Sequence, residues 1–512
     1  MSAQPSPDRP DAPSDGPSVS TSTATSDGFV RGLSQLIGGP LGSHATRPEA
    51  RPGRFWTASR IIMALTCLIL ALSWVQKSPC MSGDWQKNIQ YTRFCYTDVL
   101  ALYYAEGLSD GAVPYVNHQV EYPVVTGYFM GALGLPVHWY GVKHPDINQG
   151  SWFYNANALV LSLFAVITVG VILALRRRRP WDAAIFALSP IILVTATVNW
   201  DFLAIGLAAI GLLLWVRRQP LWAGVLLGLG GAAKLWPLFI IGPLFIIALR
   251  SGRLRSWLLA TVGAVVAWAV VNFPVWYWQH EAWLRFFRLN SERPVDWGTF
   301  WYVGRYLDGK WSSTGGGPFQ WLSDHVPTLN LVTYALFGLA CFGLLVLGLL
   351  APQPPRLAQL AFLVVAFFLI FSKVWSQQYV LWLLPLIVLA RPKWGAILAW
   401  TVAEICYFAA FYAELIGAGD GGKSVIPEGT FVLASALRLI TVGVLCGLVI
   451  REIWRPELDA VRQTYGGADP DAGLAEGPDE GWVQRLRWSL GFGRPPVAPV
   501  GLPPEPPVMA KV

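Results

Sequence analysis

Residues 152–179 read WFYNANALVLSLFAVITVGVILALRRRR. Their apolar run from Trp152 to Leu175 ends at four consecutive arginines. A transmembrane helix needs about 20 predominantly apolar residues, and clustered Arg and Lys mark the cytoplasmic end of a span. The stretch therefore predicts a membrane-spanning helix whose C-terminal end faces the cytoplasm.

Similar apolar runs recur along the chain from Ile61 to Ile450. Of its 512 residues, 54% are hydrophobic and 13% are charged, with a mean hydropathy of +0.44, whereas soluble domains carry charge on about a quarter of their residues. The net charge is +7, but the basic residues form short clusters between apolar runs, which is typical of orientation signals and not of nucleic-acid binding. We predict an all-α polytopic membrane protein with about twelve transmembrane helices.

Composition divides the chain into three parts. Residues 1–54 are rich in Ser, Pro, Asp and Thr and predict a disordered tail. Residues 55–451 hold the membrane domain, and residues 452–512, rich in Pro, Gly and Asp, predict a second disordered tail. Arginines before the first span indicate a cytoplasmic N-terminus, and we expect both tails in the cytoplasm. Residues 77–151 and 279–327 then form two large outer loops at the extracytoplasmic face of the plasma membrane.

The first outer loop contains an apolar segment, Tyr122 to Tyr140, that several glycines and Pro136 interrupt. It is too short and too broken for a span, so we expect an interfacial helix along the membrane. Cys80 and Cys95 also lie in this loop, where an oxidising compartment allows them to pair. A disulfide and two free thiols both stay open, because connectivity is not readable from sequence. The cysteines lack CxxC or His-flanked spacing, so no metal site is expected.

The most polar part of this loop is CYTDVLALYYAEGLSDGAVPYVNHQVEYPVVTG, residues 95–127. Asp98 precedes a helical pattern, so it is either the N-cap of that helix or a general base that accepts a proton from an acceptor hydroxyl. Glu121 is either a second carboxylate near Asp98 or a cap of the interfacial helix. Two carboxylates also suit glycoside hydrolysis, and the sequence does not give their separation.

Ionisable residues recur at the outer ends of the predicted spans, where a charge at membrane depth is costly unless it is paired or functional. These candidates are Asp98, Glu121, Asp201, Lys234, Arg305, His325 and Lys373. Lys234 and Lys373 each have two interpretations, a cation that binds a lipid phosphate or a lysine that snorkels to the interface. Gln378 adds a neutral donor close to Lys373. Residues such as Arg305 and His325 are more often ordinary loop residues than catalytic ones.

One further pair of charges lies within the last predicted spans. Glu404 and Arg438 are expected to pair with each other in a structural role.

Four parts of the chain, taken together, have a recognisable order and spacing. They are YTDVLALYYAEGL with VEYPVVTGYFMGAL, then NWDFLAIGLAAIGLLLW, AGVLLGLGGAAKLWPLFIIGPL and SKVWSQQYVLWLLPL. This set resembles glycosyltransferase family 87, the polyprenol-phosphate-sugar-dependent glycosyltransferases of the C-type membrane fold that include actinobacterial mannosyltransferases. The resemblance covers about Arg60 to Ile450.

The resemblance implies an inverting transfer from a lipid-linked sugar, with the acidic residue of the first outer loop, Asp98, as the base. The step from Glu121 through Tyr122 to proline matches the start of the family's interfacial helix. Relatives usually have Ser-Pro-Gln-Tyr in the last motif, where this chain has Ser-Gln-Gln-Tyr from Ser376. The stretch RLNSERPVDWGTFWYVGRYL indicates a subgroup of its own, so mannose specificity is not carried over.

The predicted function is a membrane hexosyltransferase that moves mannose, or another hexose or pentose, from a polyprenyl-phosphate donor to a glycolipid or glycan acceptor of the cell envelope. The lipid-linked sugar is a co-substrate, no cofactor is expected, and the bilayer is the other partner. Lys234 or Lys373 would hold the departing lipid phosphate. The alternative is a transporter or flippase for an amphipathic solute, since broken spans and charges at membrane depth suit it equally.

Overall fold

The computed structural model describes residues 57–312, 316–419 and 425–492. Within these ranges the chain forms α-helices joined by short 3-10 turns and loops, without a β-strand. This confirms the all-α class. The predicted disordered tail at residues 1–54 lies outside the described residues.

The described α-helices follow one another along the chain as α1 Ala58–Lys77, α2 Ile89–Thr92, α3 Asp98–Ala105, α4 Val124–Lys143, α5 Gln149–Leu175, α6 Ala183–Ala187, α7 Pro190–Thr195, α8 Asp201–Val216, α9 Pro220–Ala233, α10 Ile241–Arg250, α11 Leu254–Trp278, α12 His280–Glu292, α13 Phe300–Trp311, α14 Pro318–Asp324, α15 Val326–Leu350, α16 Leu357–Phe371, α17 Val380–Ala390, α18 Trp394–Gly419, α19 Glu428–Trp454, α20 Ala460–Thr464 and α21 Gly481–Ser489.

Six of these helices, α1, α5, α11, α15, α18 and α19, are long and apolar enough to cross a membrane, counted over the described ranges. The chain is therefore a polytopic membrane protein, as its composition predicted. Five further apolar helices are shorter, between 10 and 17 residues. At a rise of about 1.5 Å per residue, such helices fall short of the roughly 30 Å hydrocarbon core. Asp201 at the start of α8 and Lys234 just after α9 are both buried, so two of these short helices place polar groups inside the helical body.

The segment expected to form an interfacial helix is helical from Val124 to Lys143 and keeps Pro136 inside the helix. It is not among the six helices that composition qualifies as spans in the described part of the chain. The expected helix is therefore present, and its orientation along the membrane stays a prediction.

Close packing between α9 and α11 depends on small residues. A Cβ atom at Gly224 would lie 1.8 Å from the carbonyl oxygen of Ala260, and one at Gly228 would lie 2.3 Å from that of Ala264. Real side chains cannot approach backbone so closely, so glycine is required at both positions. Small residues in membrane helices let two backbones approach closely.

The C-terminal segment from Pro456 to Phe492 is folded against the helical body, and it includes α20 and α21. The predicted disorder of residues 452–512 is therefore wrong as far as Phe492, while residues 493–512 lie outside the described part. Three aspartates of this segment pair with arginines of the body whose exposure is 0%. The pairs are Arg356–Asp459 at 2.7 Å, Arg176–Asp471 at 2.7 Å and Arg250–Asp479 at 2.6 Å.

The same arginines also satisfy carbonyl groups at helix ends. Arg176 donates to the carbonyl oxygen of Leu389 at 2.6 Å, and Arg250 donates to that of Gly348 at 2.6 Å. The last carbonyls of a helix have no partner within the helix, and a buried cation needs a counter-charge. Charge pairing and helix capping thus order a segment whose composition is poor in apolar residues.

We expect Asp459→Asn to lower the stability of the folded protein by up to about 3–5 kcal/mol, the range for breaking a buried ion pair, because it removes the closer of the two carboxylates that pair with the buried Arg356 and leaves only Asp471 at 3.4 Å. Thermal unfolding of the full chain in detergent measures the effect. Glu476→Gln is the matched control, because Glu476 pairs with Arg218 at the surface with 68% of its side chain exposed, where such pairs contribute about 0–1 kcal/mol. Equal losses in both variants would contradict a structural role for the C-terminal segment.

Candidate active site

Asp98 is the first residue of α3, and its neighbour Thr97 is the N-cap. The Thr97 hydroxyl accepts a hydrogen bond from the backbone N–H of Val99 at 3.2 Å. It also donates to the carbonyl oxygen of Thr197 at 2.6 Å, which ties the first loop to the turn before α8. The interpretation of Asp98 as the N-cap is therefore wrong, and its carboxylate is directed to other partners.

The partly exposed Asp98 carboxylate accepts from two side-chain amides. Its Oδ2 atom lies 2.7 Å from Nδ2 of Asn199 and 3.4 Å from Nε2 of Gln378. The Tyr96 hydroxyl also donates to Asp98; burial and then the nearby carboxylate raise the pKa of Tyr96, so this hydroxyl keeps its proton. The predicted candidates Asp98 and Gln378 thus meet, although 280 positions separate them.

Lys234 and Asp201 lie close to Asp98, at the ends of two short helices. Lys234 follows α9, and its Nζ donates to Oδ1 of Asn199 at 3.0 Å. The same ammonium lies 3.9 Å from Oδ1 of Asp201, which accepts from the indole N–H of Trp382 at 2.7 Å. Lys234 is 7% exposed, so the interpretation as a snorkelling lysine is wrong.

Tyr122 joins this group from the loop before α4. Its hydroxyl accepts from Nδ2 of Asn199 at 2.6 Å, and its ring lies 4.6 Å below the Lys234 ammonium. A cation over a tyrosine ring is attracted by the ring's negative face. Three predicted candidates, Tyr122, Asp201 and Lys234, therefore share one cluster with Asp98. We call these four residues with Asn199 and Gln378 the Asp98 cluster.

Glu121 lies beside the Asp98 cluster and has a second carboxylate next to it. Its backbone N–H donates to Oε1 of Glu106 at 3.2 Å, while Oε2 of Glu106 lies 2.7 Å from Nε2 of His118. Burial, followed by Glu106 and Asp98, raises the pKa of Glu121. The capping interpretation of Glu121 is wrong, because α4 has Pro123 at its N-cap position and no side-chain cap.

An apolar cavity of about 100 Å³ opens next to Tyr122. Aromatic side chains dominate its lining, which consists of Tyr115, Tyr122, Pro123, Val124, Gly231, Leu235, Leu238, Trp268, Asn272, Trp283, Phe286 and Phe287. Helix α12 contributes the last three aromatic residues and is strongly amphipathic. The cavity thus joins an apolar recess to the polar cluster through the ring of Tyr122.

Two further cations lie near each other, Arg293 in the second predicted loop and Lys373 just after α16. Lys373 is buried, and its Nζ donates to the carbonyl oxygen of Ser291 at 3.0 Å. Burial and then the nearby Arg293 lower the pKa of Lys373 to about 8. Arg293 itself forms a 3.4 Å ion pair with Asp296 and keeps 41% of its side chain exposed. Arg293 acts electrostatically on both Glu121 and Lys373.

Two predicted candidates, Arg305 and His325, make local contacts in the described part of the chain. Arg305 in α13 lies over the ring of Tyr302, 5.3 Å from its centroid. His325 is exposed and stacks on Trp321 at 4.4 Å, with Nδ1 donating to the Trp321 carbonyl oxygen at 2.8 Å. These contacts fit the interpretation of both as ordinary loop residues.

Glu404 and Arg438 form a buried ion pair at 3.0 Å, as expected for a structural pair.

A disulfide links Cys80 to Cys95, in agreement with the disulfide hypothesis. Cys95 directly precedes Tyr96, so the bond anchors the segment that carries Tyr96 and Asp98. Lys77 contacts the same segment, and its Nζ donates to the carbonyl oxygen of Tyr96 at 3.1 Å.

Three contributors to the site were not predicted as site residues. Asn199 is uncharged, and a search for membrane charges passes over it, although it stands in the quoted NWD sequence. Arg293 lies in the stretch RLNSERPVDWGTFWYVGRYL, which differs from the relatives. This difference in sequence could have marked Arg293 as a candidate site residue. Glu106 follows Asp98 by one helix length, on the same loop.

The fold and the site define a polytopic membrane protein with a polar, carboxylate-containing cluster enclosed beside an apolar cavity. The family model for glycosyltransferase family 87 matches residues 129–372, slightly less than half of the chain. This match agrees with the resemblance that the motifs indicated. No curated protein matches the chain. The matched segment includes Asp201 and Lys234, whereas Asp98 precedes it.

We expect the double variant Cys80→Ala, Cys95→Ala to lose about 3 kcal/mol of stability, the value for a bond that closes a loop of about 15 residues. Thermal unfolding under non-reducing conditions measures the loss. Cys67→Ala, which removes an exposed free thiol, is the control and should unfold at the unmodified temperature. Mass spectrometry of the unreduced wild type should find the two cysteines linked, and alkylation of both would refute the bond.

Proposed function

We propose that the protein transfers a sugar from a polyprenyl-phosphate donor to a hydroxyl acceptor, with Asp98 as the general base. The observation that carries the proposal is the partly exposed Asp98 carboxylate, which amides of Asn199 and Gln378 orient beside an apolar cavity. A general base must reach the hydroxyl whose proton it accepts. Asp98 is joined through Asn199 to Tyr122, which lines the apolar cavity, so the carboxylate and a recess for a lipid tail lie close together.

The apolar cavity beside Tyr122 supports a lipid-linked donor. Its walls are aromatic and aliphatic, and its polar end touches the Asp98 cluster. A larger crevice of about 420 Å³ lies between α15, α16 and α19, but its lining is entirely apolar, as Leu344 and Phe371 exemplify. A lipid phosphate needs both an apolar channel and a cation, so we assign the tail of the donor to the cavity beside Tyr122.

Arg293 and Lys373 are the cations that we assign to the lipid phosphate. Lys234 is already bonded to Asn199, close to Asp201 and buried, so this lysine stabilises the cluster instead. Oriented cations that meet charge developing on a leaving group supply much of the rate enhancement in enzymes. We retain Glu121 and Tyr122 as substrate-facing residues.

The reaction we propose is a single inverting displacement. Asp98 accepts the proton of the acceptor hydroxyl, the acceptor oxygen forms a bond to the anomeric carbon, and the bond from that carbon to the phosphate oxygen breaks. Polyprenyl phosphate leaves with its charge next to Arg293 and Lys373. The lipid-linked sugar is the co-substrate, its sugar is mannose or another hexose or pentose, and the acceptor is a glycolipid or glycan of the cell envelope.

We place the site on the extracytoplasmic face of the plasma membrane and both termini in the cytoplasm. Two features support this orientation. The disulfide adjoins the site, and such bonds persist in oxidising compartments. The arginine clusters that begin at Arg176 and Arg217 follow helices α5 and α8 at the ends remote from Asp98, as the positive-inside rule requires. The C-type fold and about twelve spans belong to the same proposal through the family resemblance.

Purified full-length protein in nanodiscs, given polyprenyl phosphates of mannose, glucose and arabinose with an envelope lipid extract, should consume one donor and label a lipid or glycan. Asp98→Asn should lower this transfer by about 100- to 10,000-fold, the usual contribution of general-base catalysis. Asp110→Asn is the control, because Asp110 is an exposed carboxylate of the same loop. If no donor is consumed and intact lipid-linked sugar instead crosses the membrane of vesicles, the result would contradict the transferase proposal and favour a flippase.

The lowered pKa of Lys373, about 8, predicts a basic limb in the activity profile. Lys373 is positively charged below this pH and neutral above it, so the KM for the donor should rise as the pH passes through about 8. Lys373→Arg keeps its charge in alkaline solution and should move that limb to higher pH. Lys310→Arg, a control in α13, should leave it in place. An unchanged limb in Lys373→Arg would exclude Lys373 from donor binding.

A further inference from the structure

Asn199 lies in the turn before α8 and is 1% exposed. Its side chain makes four hydrogen bonds. Nδ2 donates to Oδ2 of Asp98 at 2.7 Å and to the hydroxyl of Tyr122 at 2.6 Å. Oδ1 accepts from Nζ of Lys234 at 3.0 Å and from the backbone N–H of Trp200 at 2.7 Å. An amide has two N–H donors and two acceptor positions, so every one of them is used.

These partners leave only one orientation for the amide. The ammonium of Lys234 and the N–H of Trp200 are donors without any acceptor capacity, so they must face the carbonyl oxygen of Asn199. The NH₂ group is then forced toward Asp98 and Tyr122. An amide rotated by half a turn would place its oxygen against the Asp98 carboxylate and its N–H groups against the ammonium.

The orientation has an electrostatic consequence for Asp98. A hydrogen bond donated to a carboxylate favours its ionised form, and a charge on one side of an amide strengthens the bond on the other side through polarisation. Lys234 therefore acts on Asp98 through Asn199, without direct contact between the ammonium and the carboxylate. The carboxylate is also held at one angle, because Asn199 is itself fixed by three other partners.

We propose that Asn199 is a positioning residue that keeps the Asp98 carboxylate ionised and aligned for proton transfer, and that it couples Lys234 to this carboxylate. This inference rests on the proposed function of Asp98 as the base. It assigns Lys234 to the control of the base and leaves the donor phosphate to Arg293 and Lys373.

Other charged or titratable groups also face Asp98, and they must be considered when the pH profile of a variant at Asn199 is interpreted. They are Lys77, Tyr96, Glu121, Tyr122, Asp201 and Tyr412. A variant at position 199 removes none of these groups, so a displaced pH profile in Asn199→Ala, which adds no charge, reports the lost amide.

Asn199→Asp is the sharpest variant, because it preserves the size of the side chain and its acceptor for Lys234 and Trp200. It replaces only the NH₂ group with an oxygen facing Asp98. We expect kcat to fall about 100-fold, the usual loss when a reacting group is misplaced by about 1 Å, while the KM for the donor stays within about threefold. The acid limb of the kcat profile should move to higher pH, because a proton on Asp98 is now favoured.

Asn199→Ala tests the same point without an added charge, and its acid limb should move in the same direction by less. Lys234→Met should reduce kcat when it is the only substitution. In the Asn199→Ala background it should have little further effect, because the hydrogen bonds that link Lys234 to Asp98 through Asn199 are already absent. Independent structural roles would instead give additive losses.

Asn157→Asp is the matched control. Asn157 is a buried asparagine of α5 whose Oδ1 accepts from the indole N–H of Trp200 at 2.7 Å and whose Nδ2 donates to the carbonyl oxygen of Phe153 at 2.8 Å. It has no part in the Asp98 cluster. Its variant should lower the unfolding temperature while kcat per folded molecule and the acid limb stay unchanged.

The assay uses full-length protein in nanodiscs and the polyprenyl-phosphate sugar that the unmodified protein consumes. Loss of transfer in Asp98→Asn, with wild-type kcat and acid limb in Asn199→Asp and Asn199→Ala, would overturn the role of Asn199 and preserve the proposed function. Full transfer by Asp98→Asn would overturn the proposed function itself. A fall in kcat without any shift of the acid limb in either folded variant would reduce Asn199 to a structural residue.

Discussion

The ammonium of Lys234 is buried inside a membrane protein, and the site depends on how that charge is compensated. An isolated cation in such surroundings is very costly, so partners must converge on it from separate parts of the chain. Asp201 comes from the start of α8, Tyr122 from the loop before α4 and Asn199 from the turn that precedes α8. Their convergence fixes the loop that carries Asp98 against the ends of the short helices.

Buried charges are also compensated by partners from distant parts of the chain at the other end of the molecule. There the body supplies buried arginines, and the C-terminal segment supplies the carboxylates, as in the pair of Arg176 with Asp471. Helix α5 runs from Gln149, whose side chain accepts from Tyr103 in α3, to Leu175 beside Arg176. At about 1.5 Å per residue, its 27 residues separate the two charged ends by about 40 Å of largely apolar helix. One end is closed by ion pairs, while the end with Asp98 keeps a partly exposed carboxylate and an adjoining cavity.

The class of fold was predictable because long apolar runs and basic clusters are local properties of a sequence. Local reasoning also found Asp98, Asp201 and Lys234, since charged residues between apolar runs are conspicuous. It could not show that Arg176 meets Asp471, because 295 positions separate them, and so it assigned disorder to a segment that ion pairs order.

The role of Asn199 escaped for a different reason. An amide carries no charge, and its importance arises from four partners that only the folded chain brings together. The N-cap at α3 shows the limit of local patterns as well, since Thr97 and Asp98 are both good caps and the structure uses Thr97. The Asp98 carboxylate therefore has no capping role and is available for chemistry.

The most direct test is a cryo-electron microscopy structure of the protein in nanodiscs with a polyprenyl phosphate bound. We expect the phosphate within hydrogen-bonding distance of Arg293 or Lys373 and the first isoprene units in the cavity beside Tyr122 and Trp283. A phosphate bound at the opposite end near Arg176, or a tail held in the crevice beside Leu344, would contradict this expectation.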